Sequence, residues 1–156
     1  MAIPLELLKR RLRNELKMLD GINGVEFEHS GGPGINFPYT IDVRLRGVRG
    51  LDRLKDGKIV EKSDHRFRIV VFRDYPVLKP GIIWQSGIFH PNISTPENKG
   101  IVCTKLLQEW KTERTLNSLI AGIAHLVENP NRKEPLGFES CESAVRYLTE
   151  IEKNVN

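Results

Sequence analysis

Cysteine is scarce in this chain: of 156 residues, only Cys103 and Cys141 carry a thiol. A zinc centre at Cys103 would need four ligands at short spacing. No second cysteine lies nearby, so no metal site is expected. Long apolar runs are missing too. The N-terminal stretch MAIPLELLKRRLRNELK interrupts its leucines with basic residues every few positions. It cannot form the apolar core of a signal peptide, and nothing further along resembles a membrane span. These absences predict a cytoplasmic protein, away from membranes, whose two thiols stay reduced and unpaired. Aromatic residues make up only 7%. They do not interleave with the basic residues as a nucleic-acid stacking platform requires. Repeats, low-complexity tracts and linkers are absent. Residues 1–156 therefore read as one domain, long enough to bury a real core.

What is present is an ordinary balance of 39% hydrophobic and 28% charged residues, with a net charge of +4. A basic excess fits an acidic protein partner or a plain solvated surface. Leu5, Leu8, Leu12, Leu16 and Leu19 recur at spacings of three and four, so they share one face of an amphipathic helix. Pro4 suits its first turn, and Gly21 and Gly24 stop it. The other face carries Lys9, Arg10, Arg13 and Lys17. From Gly24 onward the period becomes two. Val25 and Phe27 alternate with charges, and Ile41, Val43 and Leu45 face away from Asp42, Arg44 and Arg46. Phe67, Ile69 and Val71 form a third set and GIIWQS a fourth. Half-buried strands of an antiparallel meander are predicted, with one face left for a helix. Asp56-Gly57 marks a turn in a longer hairpin between strands two and three.

Two prolines in RDYPVLKPG end the sheet, and the aromatic before Pro76 makes Tyr75-Pro76 the candidate cis bond. Leu116, Leu119, Ile120, Ile123, Leu126 and Val127 then trace a central, largely buried helix that ends at Asn129-Pro130. His125 on that helix reads as a core or boundary residue. A last helix over about residues 139–153 presents Ala144, Tyr147, Leu148 and Ile151. Cys141 falls in its first turn, where Glu139 and Glu142 disfavour a thiolate, so it reads as structural. The order is N-terminal helix, four-stranded meander, active-site loop, then central and C-terminal helices. That is a segregated α+β fold.

The chemistry concentrates in FHPNISTPENKGIVCTKLLQEW, residues 89–110. Cys103 could be the nucleophile of a thiol hydrolase with His90 as base. That arrangement needs a histidine touching the sulfur and a third group orienting it. His90 is followed by Pro91 and a turn-rich loop, so its ring could instead bond the local backbone. No orienting acid is evident near it. Cys103 could equally be a thioester carrier, accessible and not strongly activated. It would accept an acyl group from another thioester and release it to an amine. The residue types alone leave both open.

The ordered set of motifs goes further. His-Pro-Asn at 90–92, GIVC at 100–103, Trp110, an apolar helix ending in Asn-Pro-Asn at 129–131 and Pro-Leu at 135–136 resemble the ubiquitin-conjugating enzyme family. Tyr75-Pro76 followed by Pro80 fits as well, and the likeness covers roughly residues 5–150. The resemblance implies that Cys103 takes ubiquitin or a ubiquitin-like modifier as a thioester from an activating enzyme and passes it to a substrate lysine. Asn92 would donate to the oxyanion or hold the neighbouring loop. His90 would be structural, and Pro91 would fix the turn. Tyr75, Pro76 and Trp110 would belong to the structural motif. Glu134, just before Pro-Leu, would orient the incoming amine and accept its proton. A free lysine with a pKa near about 10.4 arrives almost wholly charged.

No cofactor is implied, since ATP is used by the activating enzyme. That enzyme would grip Arg10, Arg13 and Lys17, and a RING-type ligase would touch Val77 and Lys111-Thr112. The runner-up is a non-catalytic scaffold or modifier-binding module of the same fold. Several features depart from the family. The loop adds TPENK, Thr104-Lys105 replace Leu-Asp, and Tyr-x-Gly-Gly is missing before the third strand. One helix follows Pro-Leu where many members carry more. Val77 and Lys111-Thr112 replace a larger apolar residue and Ser-Pro. These departures mark a divergent member, as a prokaryotic pathway would supply.

Overall fold

Alternating apolar and charged residues give the chain its sheet. In a computed structural model describing residues 3–30 and 34–155, four strands pair antiparallel in the order β1-β2-β3-β4. These are β1 (Val25–Ser30), β2 (Tyr39–Arg53), β3 (Ile59–Val71) and β4 (Gly81–Trp84). Ile41, Val43 and Leu45 on β2, and Phe67, Ile69 and Val71 on β3, are all buried. Their register is direct: Ile41 faces Ile69 and Val43 faces Phe67. The Trp84 ring stacks on Phe67 with centroids 5.6 Å apart. Charged partners share the other face, where Arg68 donates to Asp42 at 2.7 Å and Arg44 to Asp64 at 2.9 Å.

The strands are longer than their alternation suggested. β2 and β3 run on to Arg53 and back from Ile59, through a register shift between Arg46 and Gly50. The pleat slips at that irregularity, so the period-two signal fades although pairing continues. Asp56-Gly57 sits in the tight turn as expected, with Gly57 at φ 87°. Tyr75-Pro76 is cis, and so is Phe37-Pro38, which the sequence reading did not single out.

Helices α1 (Leu5–Asp20) and α3 (Leu116–Glu128) cover the apolar face, α1 lying against β1 and α3 against β2. Leu8, Leu12 and Leu19 are fully buried, but Leu5 is 39% exposed. It lies in the first turn, at the margin of the stripe. The position that completes the buried stripe at spacings of four and three is Glu15, at 3% exposure. Its carboxylate accepts from the Tyr75 hydroxyl at 2.9 Å, the Leu116 backbone N–H at 2.7 Å and Arg11 Nε at 3.1 Å. A buried charge is tolerable only when it is satisfied in this way. Arg11 also donates to the carbonyls of Thr112 and Arg114. This one network therefore ties α1 to the Tyr75 segment and to the start of α3. Burial and the Glu15 charge push the Tyr75 hydroxyl well above its ordinary value.

Helix α3 opens with a reciprocal cap, Thr115 Oγ1 accepting from Ser118 N and Ser118 Oγ from Thr115 N. Leu116, Leu119, Ile120, Ile123 and Val127 point into the core. A short helix α2 (Lys105–Gln108) follows Cys103, in the segment expected to be an active-site loop, and α4 (Glu139–Val155) ends the described chain. No helix among the described residues is long and apolar enough to cross a membrane.

Glu15→Ala should cost about 3 kcal/mol in urea unfolding, because Leu116 N–H and the Tyr75 hydroxyl lose a buried acceptor. Tyr75→Phe, which removes one donor, should cost about 1 kcal/mol. A Glu15→Ala variant as stable as the parent would show that the network is not what joins these elements.

Candidate active site

The His-Pro-Asn segment builds the site by holding backbone. His90 is 3% exposed, and both its ring nitrogens are engaged. Nδ1 accepts from Asn92 N–H at 2.9 Å, and Nε2 lies 2.8 Å from the Leu126 carbonyl. A carbonyl can only accept, so the proton sits on Nε2 and the ring is neutral. Burial pushes its pKa down to about 4. Neither nitrogen is free for a thiol, so His90 is not the base that a thiol hydrolase would need.

Asn92 is 2% exposed, and its carboxamide closes a clamp. Nδ2 donates to the carbonyls of Asn131 at 3.0 Å and Glu134 at 3.1 Å, while Oδ1 accepts from Asn131 N–H at 2.8 Å. The Leu136 N–H donates to the Pro91 carbonyl at 2.9 Å. The loop carrying Pro-Leu is thereby fixed against His-Pro-Asn. The Cys103 N–H donates to the Asn92 carbonyl at 2.9 Å, so the same asparagine also anchors the cysteine's backbone. Between them, the inserted TPENK residues fold into a 3-10 turn, Pro96–Asn98. Ser94 Oγ closes its base, accepting from Ile101 N–H and donating to the Asn98 carbonyl. Gly100 then lies across Trp84 so closely that a Cβ would come within 2.3 Å of the Trp84 carbonyl. Only glycine fits there.

Cys103 is half-buried and unpaired, whereas Cys141 is buried with its thiol 3.7 Å from the Ile93 carbonyl. Burial raises the Cys141 pKa. Cys103, Asn92 and Glu134 line one open groove of about 260 Å³. A larger concavity of about 360 Å³ on the outer sheet face is lined by charges such as Arg44, which already pairs with Glu26 and Asp64. The Cys103 groove is the one that holds the motif residues. No cluster of three histidine, cysteine or acidic side chains suited to a metal occurs among the described residues.

Some groove residues were missed or misread. His125, read as a core or boundary residue, is exposed and lines the groove. Its Nδ1 lies 3.3 Å from Asn129 Nδ2. Gly122, His125 and Asn129 repeat at three and four on the face of α3 opposite its buried stripe, a signal the sequence does contain. Gln108 donates from Nε2 to Cys103 Sγ at 3.2 Å, and no periodicity announces it.

The remaining motif residues form a second cluster. Trp110 Nε1 donates to the Pro76 carbonyl at 2.8 Å, and the Tyr75 and Trp110 rings lie 6.1 Å apart. That bond joins the loop of Val77, 50% exposed, to the loop of exposed Lys111 and Thr112. Arg10, Arg13 and Lys17 are exposed on α1 and make no ion pair among the described residues.

Comparison with known proteins agrees with this geometry. The ubiquitin-conjugating enzyme family profile matches residues 50–156, and the chain belongs to that family. It is 31% identical over 100 residues to the SUMO-conjugating enzyme UBC9 of Caenorhabditis elegans, covering 62% of this chain and 58% of the relative. It is 30% identical over 120 residues to the NEDD8-conjugating enzyme UBC12 of Eremothecium gossypii, covering 74% of this chain and 64% of the relative. The chain thus spans less than two thirds of these relatives' own lengths. Among solved structures it resembles S. cerevisiae Ubc12 with a TM-score of 0.73 and 25% identity, over 96% of this chain and 73% of that one. The fold is shared with the E2 domain of a Toxoplasma gondii ubiquitin-conjugating enzyme, at a TM-score of 0.70 and 22% identity, over 94% of this chain and 90% of that one.

The buried His90 gives a pH signature. An unfolded histidine takes up a proton below about pH 6.5, whereas the folded ring resists until about pH 4. Between those values the unfolded state holds more protons, so stability falls as the pH falls. It should be full above pH 6.5 and drop by on the order of 3 kcal/mol by pH 4. His65, buried and depressed in the same direction, adds to the slope. His90→Gln should flatten this limb in denaturant titrations at several pH values. An unchanged limb would sink the assignment.

Proposed function

We propose that this chain is a ubiquitin-like-modifier conjugating enzyme working as one catalytic domain, with Cys103 as the thioester carrier. The observation that carries the reading is the setting of Sγ: half-buried at an open groove, beside the Asn92 clamp and Glu134, with no base in contact. Such a sulfur suits exchange between thioesters, where the incoming and outgoing bonds are of one kind and little activation is needed. The relatives' names, SUMO- and NEDD8-conjugating, support a small protein modifier as cargo.

In the reaction, Sγ attacks the carbonyl carbon of the modifier's thioester on the activating enzyme, whose sulfur leaves with the bonding pair. A substrate lysine then attacks the new thioester. Its nitrogen bonds to carbon, the C–S bond breaks, and the amine proton passes to the Glu134 carboxylate or to water. Glu134 stands exposed at the groove with its backbone carbonyl held by Asn92. Its carboxylate orients the ammonium, while desolvation in the groove favours loss of the proton. Asn92 acts by holding the loop, since both its N–H groups already serve carbonyls. The free cations Arg10, Arg13 and Lys17 supply an electrostatic contact for an acidic surface of the activating enzyme. The joined loops of Val77 and Lys111-Thr112 receive a RING-type ligase where one takes part. The setting is cytoplasmic, and no cofactor resides on the chain, since ATP is spent by the activating enzyme.

Incubated with activating enzyme, modifier and ATP, the protein should form an adduct that dithiothreitol removes. Cys103→Ala should abolish it, Cys141→Ala should retain it, and Cys103→Ser should give a reductant-resistant oxyester. An adduct that survives in Cys103→Ala would overturn the reading. Loss of the adduct with Cys103 intact would favour a non-catalytic binding module of the same fold.

Asn92→Ala separates its two possible roles. As a clamp, it should slow loading and discharge alike, and leave Asn131 and Glu134 backbone groups unpaired at a cost of about 2 kcal/mol in stability. Loss confined to discharge, by about 3 kcal/mol of barrier, would instead make the amide an oxyanion donor. Glu134→Ala should slow discharge to free lysine and leave loading unaltered. Equal discharge rates would remove Glu134 from the chemistry.

A further inference from the structure

The groove contains one polar contact to the reacting atom that the family motifs do not account for. Gln108 Nε2 lies 3.2 Å from Cys103 Sγ. Its position follows from the short helix α2. Thr104 caps that helix, its Oγ1 accepting from Leu106 N–H, and the Gln108 N–H donates back to the Thr104 carbonyl at 3.1 Å. Leu107 turns into the core at 9% exposure. Leu106 seats against α3 where Gly122 leaves room: a Cβ at Gly122 would lie 1.9 Å from the Leu106 Cδ1 methyl. With α2 pinned on both sides, the last residue of its single turn is carried back over the cysteine.

The side-chain donors of the His-Pro-Asn motif are committed elsewhere. The His90 N–H is held by the Leu126 carbonyl, and both Asn92 N–H groups by backbone carbonyls. We propose that Gln108 is a catalytic residue of the transfer reaction, its amide N–H donating to Sγ whenever that sulfur carries negative charge. This deepens the carrier reading above and rests on it for the reaction itself. A carboxamide cannot take a proton from the thiol, so it does not convert the site into that of a hydrolase. It strengthens its bond as charge builds on the acceptor. In loading, the donor meets the attacking sulfur. In discharge, it meets the sulfur again as the C–S bond breaks and the electron pair returns to it.

The test uses the free 156-residue chain and iodoacetamide, following alkylation of Cys103 by peptide mass mapping so that Cys141 is not counted. Gln108→Leu should slow alkylation near neutral pH about tenfold, the worth of one hydrogen bond to a charged acceptor. Gln108→Glu keeps the shape but replaces the donor with a carboxylate, and it should be slower still. Gln108→Arg, which retains N–H donors, should restore most of the rate. A purely packing role would leave Glu equal to Gln. If the Leu and Glu variants, folded by circular dichroism, alkylate like the parent, the inference is overturned. Because alkylation needs neither modifier nor activating enzyme, that outcome leaves the carrier reading standing. Conversely, a parent chain that never loads, yet shows the Gln108 dependence, would sink the carrier reading alone.

Discussion

The site depends on a single carboxamide. Asn92 spans two loops that lie far apart in sequence, and its three hydrogen bonds to the backbone of Asn131 and Glu134 hold the Pro-Leu loop beside the cysteine. Its own carbonyl receives the Cys103 N–H. Each of these groups would otherwise have to be solvated at a half-buried seam, which the groove does not allow. His90 serves the same end from the other side: it fixes the Asn92 N–H and the last turn of α3 at Leu126. The side chains of His90 and Asn92 are therefore both spent on backbone.

The clamp works because what it joins is rigid. Helix α3 is held at one end by Leu126, and at the other by the carboxylate of Glu15, which reaches its first N–H from α1. The same carboxylate holds Tyr75, whose segment is in turn bonded to Trp110 through Pro76. A connected set of hydrogen bonds thus runs from Arg11 and Glu15 on α1, through the segments of Tyr75-Pro76 and Thr112, to the helix lining the groove. In the proposed reaction the two partner surfaces and the chemistry share one frame, so no part can shift without straining the others.

How much of this was legible in the sequence follows from how local each signal is. The sheet face of Ile41, Val43 and Leu45 and the core of α3 were legible, because burial imposes a period that neighbouring residues display. Cys103, Asn92 and Glu134 were found through an ordered motif, and they do line one groove. Glu15 was overlooked although Leu8, Leu12 and Leu19 leave it inside their stripe. A carboxylate there makes sense only with Tyr75 and Leu116 N–H opposite, and those arrive from distant parts of the chain. Leu5 was placed on the buried face by spacing alone, but a helix's first turn projects beyond the sheet it covers. The continuation of β2 and β3 past Arg46 was lost because the register shift there breaks the alternation.

The absence of a base at the sulfur is informative when set beside the amine. A hydrolase must activate a poor nucleophile against a stable amide or ester, so it spends a histidine on the thiol. Here both nitrogens of His90 are taken by backbone, the sulfur's hydrogen-bond partner is the neutral amide of Gln108, and the Glu134 carboxylate and the His125 ring line the same groove. That distribution leaves the thiol without the contacting base that a hydrolase places on it. In the proposed reaction no such base is needed, because a thioester is already energetic enough for an amine to open, provided the amine is held and its proton has somewhere to go. On the proposed reading, what the groove withholds matters as much as what it holds: a base at the sulfur would help water as readily as it helped the amine.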